Sequence, residues 1–186
     1  MKRVFDFTLS LLMILATLPL FMVLGLLIKV TSKGPILFWS KRVGVDSGLF
    51  NMPKFRTMYS ETPVVATHLL DTSKSYITPL GKFLRKSSLD ELPQLFSIAK
   101  GEMSFVGPRP ALYNQVDLIQ MRKDLFIDQL KPGLTGWAQV NGRDELPILQ
   151  KVKLDYYYFQ NYGFWLDAKI LLLTFHVVFK SKSISH

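Results

Sequence analysis

The sequence contains no cysteine. Disulfides, thiolate nucleophiles and cysteine-based metal sites are therefore excluded. Histidine is scarce too: His68, His176 and His186 stand alone, without the spacing of metal ligands. No internal repeat and no low-complexity run is present. Acidic residues are few, 14 against 23 lysines and arginines, for a net charge of +9. Such a balance points to an anionic partner: nucleic acid, an anionic membrane surface or a phosphorylated ligand. Charge is wholly missing from one stretch, "FTLSLLMILATLPLFMVLGLLI", the 22 residues from Phe7 to Ile28. That is long enough to cross a bilayer core. It is too long for a signal peptide, and the "KVTSKGPILF" that follows offers no small-residue cleavage site. A membrane segment and dispersed basic residues argue against nucleic acid as the partner.

What remains is ample for a folded body. The chain has 186 residues, 48% of them hydrophobic, which fits one domain with an appendage. The boundaries fall as a membrane helix over 1–30 and a membrane-face domain over 31–186. Both flanks of the apolar segment are basic, with Lys2 and Arg3 before it and Lys29, Lys33, Lys41 and Arg42 after it. A straight span places one basic flank outside the cell, whereas a re-entrant segment keeps both inside. Pro19, near the middle, removes a backbone hydrogen bond and permits a bend, but membrane helices also tolerate proline. Both topologies stay open on these grounds.

Beyond the segment, "GPILFWSKRVG" and "LFNMPKFRTM" predict two strands around the turn "VDSG". An extended 54–56 puts Lys54 and Arg56 on one face and Phe55 on the other, with Pro53 weakening regular pairing. Residues 60–78 read as irregular. "TPLGKFLRKSSLDELPQLFSIAKG" carries two short helical patterns, with Leu92, Leu95, Phe96 and Ala99 on one face. A third helix is predicted over 111–130, with Val116, Ile119, Met121, Leu125 and Phe126 as its apolar residues. "KPGLTGWAQVNGRDELP" reads as turns, and a helix follows from about Pro147 to Tyr158. Residues 155–180 hold four tyrosines, one tryptophan and four phenylalanines. An interfacial membrane helix and an aromatic core element fit that composition equally. The expected fold is mainly α with a small β-hairpin.

The sharpest local feature is "SSLDELPQLF", residues 87–96, where Asp90 and Glu91 sit side by side in a basic chain. "SLDE" matches a capping box, and acids favour the first turn of a helix, so a helix cap accounts for the pair. The surroundings suggest chemistry instead. Lys54, Arg56, Arg85, Arg109 and Arg143 all lie in turn-rich or strand-like segments. Arg109 is held between prolines in "GPRP", where a guanidinium fork is pre-aimed for a phosphate. Carboxylates among such arginines on a membrane-bound chain suggest Mg²⁺, with Asp90 as its ligand, and phosphoryl transfer.

"KRVFD" (2–6), "KFRTM" (54–58), "SLDELPQLF" (88–96), "KGEMSFVGPRP" (100–110), "KPGLTGWAQVNGR" (131–143) and "LDAKI" (166–170) occur in that order. Together they resemble the bacterial sugar transferase family, the small monotopic phosphoglycosyl transferases, through nearly the whole chain. The resemblance implies transfer of a sugar 1-phosphate from a UDP-sugar to undecaprenyl phosphate, with release of UMP. It implies Asp90 as nucleophile, forming a phosphosugar–aspartyl intermediate, and Glu91 in support. Lys54, Arg56, Arg109 and Asp167 match further functional positions, and Pro19 matches the break of a re-entrant helix. The implied location is the cytoplasmic face of the bacterial inner membrane, beside a compact helical domain with interfacial amphipathic helices. Membrane lipid and downstream glycosyltransferases are the implied partners. A nucleophile at a helix N-terminus is expected to have a low pKa, so that it attacks without a separate base. The chain departs from the family pattern at Ser40, at Met52–Pro53 and at Ser97. The rival reading is a non-catalytic membrane-surface protein that holds anionic lipid with its basic face, and it has no need of Asp90.

Overall fold

The computed structural model describes residues 2–62, 76–142 and 146–180, with side chains as far as His176. Arg143, His68, His186 and most of the 60–78 stretch lie outside the described residues.

The apolar run forms α1 (Lys2–Thr31), a helix of 30 residues. The helix passes through Pro19 without interruption. It is long and apolar enough to cross a membrane, by length and composition. One stripe faces the body: Asp6, Ser10, Leu24, Gly25 and Ile28 are buried, and Leu9, Met13, Ile14 and Phe21 pack beside them. The other faces leave Leu12, Leu15, Met22 and Leu26 exposed.

The expected hairpin is present as β1 (Leu37–Val43) and β2 (Leu49–Phe55), antiparallel and in register from Leu37↔Phe55 to Val43↔Leu49. Its turn places Asp46 and Ser47 at φ 51° and 60°. Pro53 stands opposite Trp39, tolerable because both strands of a two-stranded sheet are edges.

Next comes α2 (Pro79–Ser87). It starts where a proline is welcome, and the Thr78 side chain accepts the Gly81 N–H as its cap. Gly81 presses on Thr57 so closely that a Cβ would lie 2.0 Å from the Thr57 carbonyl oxygen. A 3-10 turn, Leu89–Glu91, leads to α3 (Gln94–Lys100). The "SLDE" capping box does not form. Ser88 is left-handed, at φ 58°, and closes α2 with its backbone N–H; its side chain caps nothing. The buried face of α3 is Gln94, Leu95, Ser97 and Ile98. Phe96 is largely exposed, with its ring against Phe21.

The predicted turn segment 131–147 instead contributes a strand. β3 (Ser104–Val106) and β4 (Gly133–Thr135) pair in parallel, Ser104↔Gly133 and Val106↔Thr135. Between them α4 covers only Val116–Asp124, because Phe126 turns left-handed, at φ 58°, and ends the predicted third helix early. Its buried residues are Leu118 and Arg122; Val116 and Phe126 are exposed. The short α5 (Trp137–Val140), α6 (Ile148–Asn161) and α7 (Phe164–Lys180) complete the fold. The aromatic C-terminal segment divides between its two expectations. Tyr158 is in the main core with Leu95, Ile98, Phe105 and Ile170, whereas Phe164 and Trp165 are 73% and 84% exposed.

Candidate active site

Two glycine-bearing segments build the platform. A Cβ on Gly107 would lie 2.2 Å from the Lys131 carbonyl oxygen, and one on Gly136 would lie 2.1 Å from the Gly107 carbonyl oxygen. Only glycine allows backbones to approach so closely. The segments are then tied together: Gly107 N–H donates to Thr135 O and Gly133 N–H to Pro108 O, both at 2.9 Å. The loop that carries Arg109 is thereby fixed at the end of β3.

Lys54, near the end of β2, and Glu91, in the 3-10 turn, meet on this platform. Lys54 Nζ donates to Glu91 Oε1 at 2.6 Å, and Arg109 Nη2 stands 3.6 Å from the same oxygen. Burial pushes the Glu91 carboxyl up, but Lys54, Arg109 and Arg42 overcome it and hold the pKa at about 2. Asp90 is in the opposite condition. It is buried, and among the described residues no side chain donates a hydrogen bond to it. Burial raises its pKa and the Glu91 charge adds to the rise, against the pull of Lys54 and Arg85. The expected low pKa is thus corrected. Asp90 lies in a three-residue 3-10 turn rather than at the mouth of a long helix, and desolvation outweighs the aligned dipoles available there.

The other expected residues divide. Arg85 Nε donates to Thr57 Oγ1 at 2.9 Å and its charge acts on Asp90. Arg56 goes elsewhere: Nη1 donates to Lys33 O, and Nη2 donates to Ser32 O and Ser32 Oγ, at 2.7–2.9 Å. It clamps the chain that leaves α1. Asp167, in the first turn of α7, accepts from Lys2 and, at 2.6 Å, from the Tyr158 hydroxyl. Burial and the Asp167 carboxylate push that hydroxyl far up, so it remains a donor. Lys54, Arg85 and Arg109 therefore surround the acidic pair, whereas Arg56 and Asp167 anchor the two ends of α1.

Sequence reasoning passed over three residues. Arg42 Nη1 donates to Pro110 O at 3.0 Å; its place on β1, two residues from Ser40, was the available signal. Asp6 accepts the Phe105 N–H at 3.2 Å, and Arg122 pairs with Asp155 at 2.6 Å. Their partners lie far along the chain, so although Asp6 ends "KRVFD", neither contact had a local sign.

The family model described as bacterial sugar transferase matches residues 1–181. The chain belongs to the bacterial sugar transferase family. An undecaprenyl-phosphate glucose phosphotransferase of Komagataeibacter xylinus is 40% identical over 184 residues, covering 93% of this chain and 35% of the relative. A UDP-glucose:undecaprenyl-phosphate glucose-1-phosphate transferase of Klebsiella pneumoniae is 37% identical, over 98% of this chain and 41% of the relative. The uncharacterized sugar transferase EpsL of Bacillus subtilis is 37% identical over 99% of this chain and 90% of its own length. The chain thus spans well under half of the two larger relatives and nearly all of the small one.

As a metal site, this family member offers little protein. Among the described residues no group of three or more histidines or acids converges. Glu91 is already neutralised by Lys54 and Arg109, so of the pair it is Asp90 that presents carboxylate oxygens without a side-chain donor. That donor set fits Mg²⁺ as it commonly binds, through one carboxylate and the phosphate oxygens of a substrate.

Proposed function

We propose that the chain transfers a sugar 1-phosphate from a UDP-sugar to undecaprenyl phosphate, with Asp90 as the covalent nucleophile. The observation that carries this reading is the inequality of the acidic pair. Glu91 is tied down by Lys54 and Arg109, while Asp90 is buried near Lys54 and Arg85 and, among the described residues, takes no side-chain hydrogen bond. A structural acid is expected to be satisfied; a nucleophile must be available.

An Asp90 carboxylate oxygen attacks the sugar-bearing phosphorus. The bond to the bridging oxygen of the diphosphate breaks, and UMP leaves with that oxygen. A phosphate oxygen of undecaprenyl phosphate then attacks the same phosphorus. The aspartyl–phosphorus bond breaks, the Asp90 carboxylate returns, and the lipid carries a diphosphate-linked sugar. Arg109 and Lys54 offset the charge that builds on the phosphoryl oxygens, and Arg85 faces the nucleophile. Mg²⁺, when bound at Asp90, would neutralise diphosphate charge and ease the departure of UMP. Two steps let one site serve a soluble donor and a lipid acceptor in turn.

The reading places the chain on the cytoplasmic face of a bacterial membrane, with α1 re-entrant. It is supported by the anchoring of both ends of α1 to one body. Lys2 binds Asp167 and Arg3 donates to Ile98 O and Ala99 O at one end. Arg56 holds Ser32 and Lys33 at the other. The exposed leucines of α1 and the exposed Phe164 and Trp165 suit lipid and its interface.

The test is single turnover. The full chain, incubated with a panel of UDP-sugars and Mg²⁺ without lipid, should release about one UMP per enzyme with one donor and gain one phosphosugar mass on the Asp90 peptide. Absence of UMP with every donor, or a mass addition elsewhere, overturns the reading.

A further inference from the structure

We propose that Arg122 and Asp155 are positioning residues for Arg109, resting on the reading of Arg109 as a phosphate-binding group. The loop Gly107–Pro110 poses a mechanical problem. Pro108 and Pro110 have no N–H, so two of its four residues cannot be fixed through their amides. The loop must be held mainly by its carbonyls, and carbonyls require donors. Pro108 O receives the Gly133 N–H at 2.9 Å. Arg109 O receives Arg122 Nη1 at 2.8 Å. Pro110 O receives Arg42 Nη1 at 3.0 Å. Two guanidiniums therefore grip the backbone on which a third is mounted.

Arg122 is itself held. Its Nε and Nη2 donate to Asp155 Oδ2 at 3.1 and 2.6 Å, and Asp155 is 1% exposed. One planar group thus spans α6, α4 and the Arg109 loop, with all three of its nitrogens engaged. A buried ion pair is weak support for stability, because apolar residues of equal volume often pack as well. Leucine or methionine at 122 cannot donate to Arg109 O. Asp155 also offsets the Arg122 charge, so that the grip does not repel the Arg109 side chain or weaken its hold on an anion. Lysine at 122 keeps the charge but cannot reach both partners with a rigid fork.

The experiment compares the full chain in lipid nanodiscs as wild type, Arg122→Lys, Arg109→Lys and the double variant. UDP is the titrated probe, and amide hydrogen exchange is followed in peptides covering 105–112 and α6. Arg122→Lys should weaken UDP by about tenfold and speed exchange at 105–112 while α6 stays protected, and it should cost little more when added to Arg109→Lys. Unchanged affinity and exchange overturn the proposal. So does a loss that adds in full to Arg109→Lys, or exchange that rises equally in α6, which marks a purely structural pair. If Arg122→Lys does not fold, Asp155→Asn is judged by the same criteria. A wild type that does not bind UDP removes the phosphate-binding reading alone, and the 105–112 exchange still decides whether Arg122 positions the loop.

Discussion

Lys54 Nζ and Glu91 Oε1 lie 2.6 Å apart, and this contact makes the two neighbouring acids unequal. Glu91 is anionic and committed to Lys54, with Arg109 behind it. Asp90, one residue earlier, shares Lys54 and has Arg85 as its other cation, and among the described residues it takes no side-chain hydrogen bond. A strand end, a 3-10 turn and a proline-flanked loop must meet for that difference to arise, so the catalytic reading is a statement about tertiary structure.

The pair predicts opposite pH behaviour for its two acids. Glu91 has its folded pKa depressed from 4.5 to about 2. Its contribution is therefore present above the ordinary carboxylate range and is lost as pH falls toward 2. Glu91→Gln should lose about 2 kcal/mol at neutral pH, below the full cost of a broken buried pair because glutamine keeps an acceptor. Denaturant unfolding between pH 7 and 2 checks this. The gap to wild type should close at the acid end.

Asp90 runs the other way. Its folded pKa is raised by burial, so its ionised form burdens the fold above that pKa and the burden lifts as pH falls below the ordinary carboxylate range. Asp90→Asn should match or exceed wild type in melting temperature at neutral pH and lose turnover by roughly 10³ or more. Stability gained where activity is lost is the mark of a strained functional group. A destabilised Asp90→Asn protein with normal turnover would return the acid to a structural role.

Much of this arrangement was legible in the sequence, for reasons that individual residues make plain. The hairpin could be read because "VDSG" separates two strand-like runs, and the acidic pair because acids are scarce. Lys54 and Arg56 were expected on one face, but β2 ends at Phe55. Arg56 lies past the strand, where period-two alternation no longer holds. The parallel pairing of β3 with β4 escaped notice because each strand has three residues and its partner is nearly thirty residues away. Arg122 escaped because a single arginine in a short helix looks solvated until Asp155 is brought to it.

The Arg109 guanidinium, a planar fork, stands with Nη2 3.6 Å from Glu91 Oε1 and is partly exposed. Such a fork suits a phosphate in a way that a lysine cannot copy. Arg109→Lys should lower kcat/KM by about a hundredfold with an unchanged melting temperature. Steady-state UMP release alongside a thermal melt checks both halves. Near-normal turnover would reduce "GPRP" to a turn.

Two glycines separate backbone packing from chain flexibility. A methyl on Gly107 meets the Lys131 carbonyl at 2.2 Å and the Gly133 nitrogen at 3.0 Å. Both are backbone atoms of a loop already tied by hydrogen bonds, so neither yields cheaply. Gly107→Ala should cost several kcal/mol, about the range of severe core disruption, or prevent folding. Gly163, between α6 and α7, has nothing within 4 Å of its would-be Cβ. Gly163→Ala should stay within about 0.5 kcal/mol of wild type. Denaturant melts of the two variants give the comparison.

The length of α1 bears on its course through the membrane. Straight, its 30 residues span roughly 45 Å, more than a bilayer core of about 30 Å. Yet Lys2 and Arg3 at one end and Ser32 and Lys33 at the other are bound to a single body. A transmembrane course would tear one of these anchors from its partners, leaving either Asp167 and the α3 carbonyls or Arg56 unpaired. A re-entrant course keeps both. The chain has no native cysteine, so single cysteines at positions 2 and 33 report topology without background. In intact cells neither should react with a membrane-impermeant maleimide, and both should react after the membrane is permeabilised. Pro19 sits inside α1 where it removes the N–H that would bond Leu15 O. Pro19→Ala restores that bond and stiffens the helix, so a fraction of molecules should now expose position 2 or position 33 to the outside, with a matching loss of activity. Labelling of either position in intact wild-type cells would show that α1 spans the membrane and that the anchors at its two ends do not hold together in the bilayer.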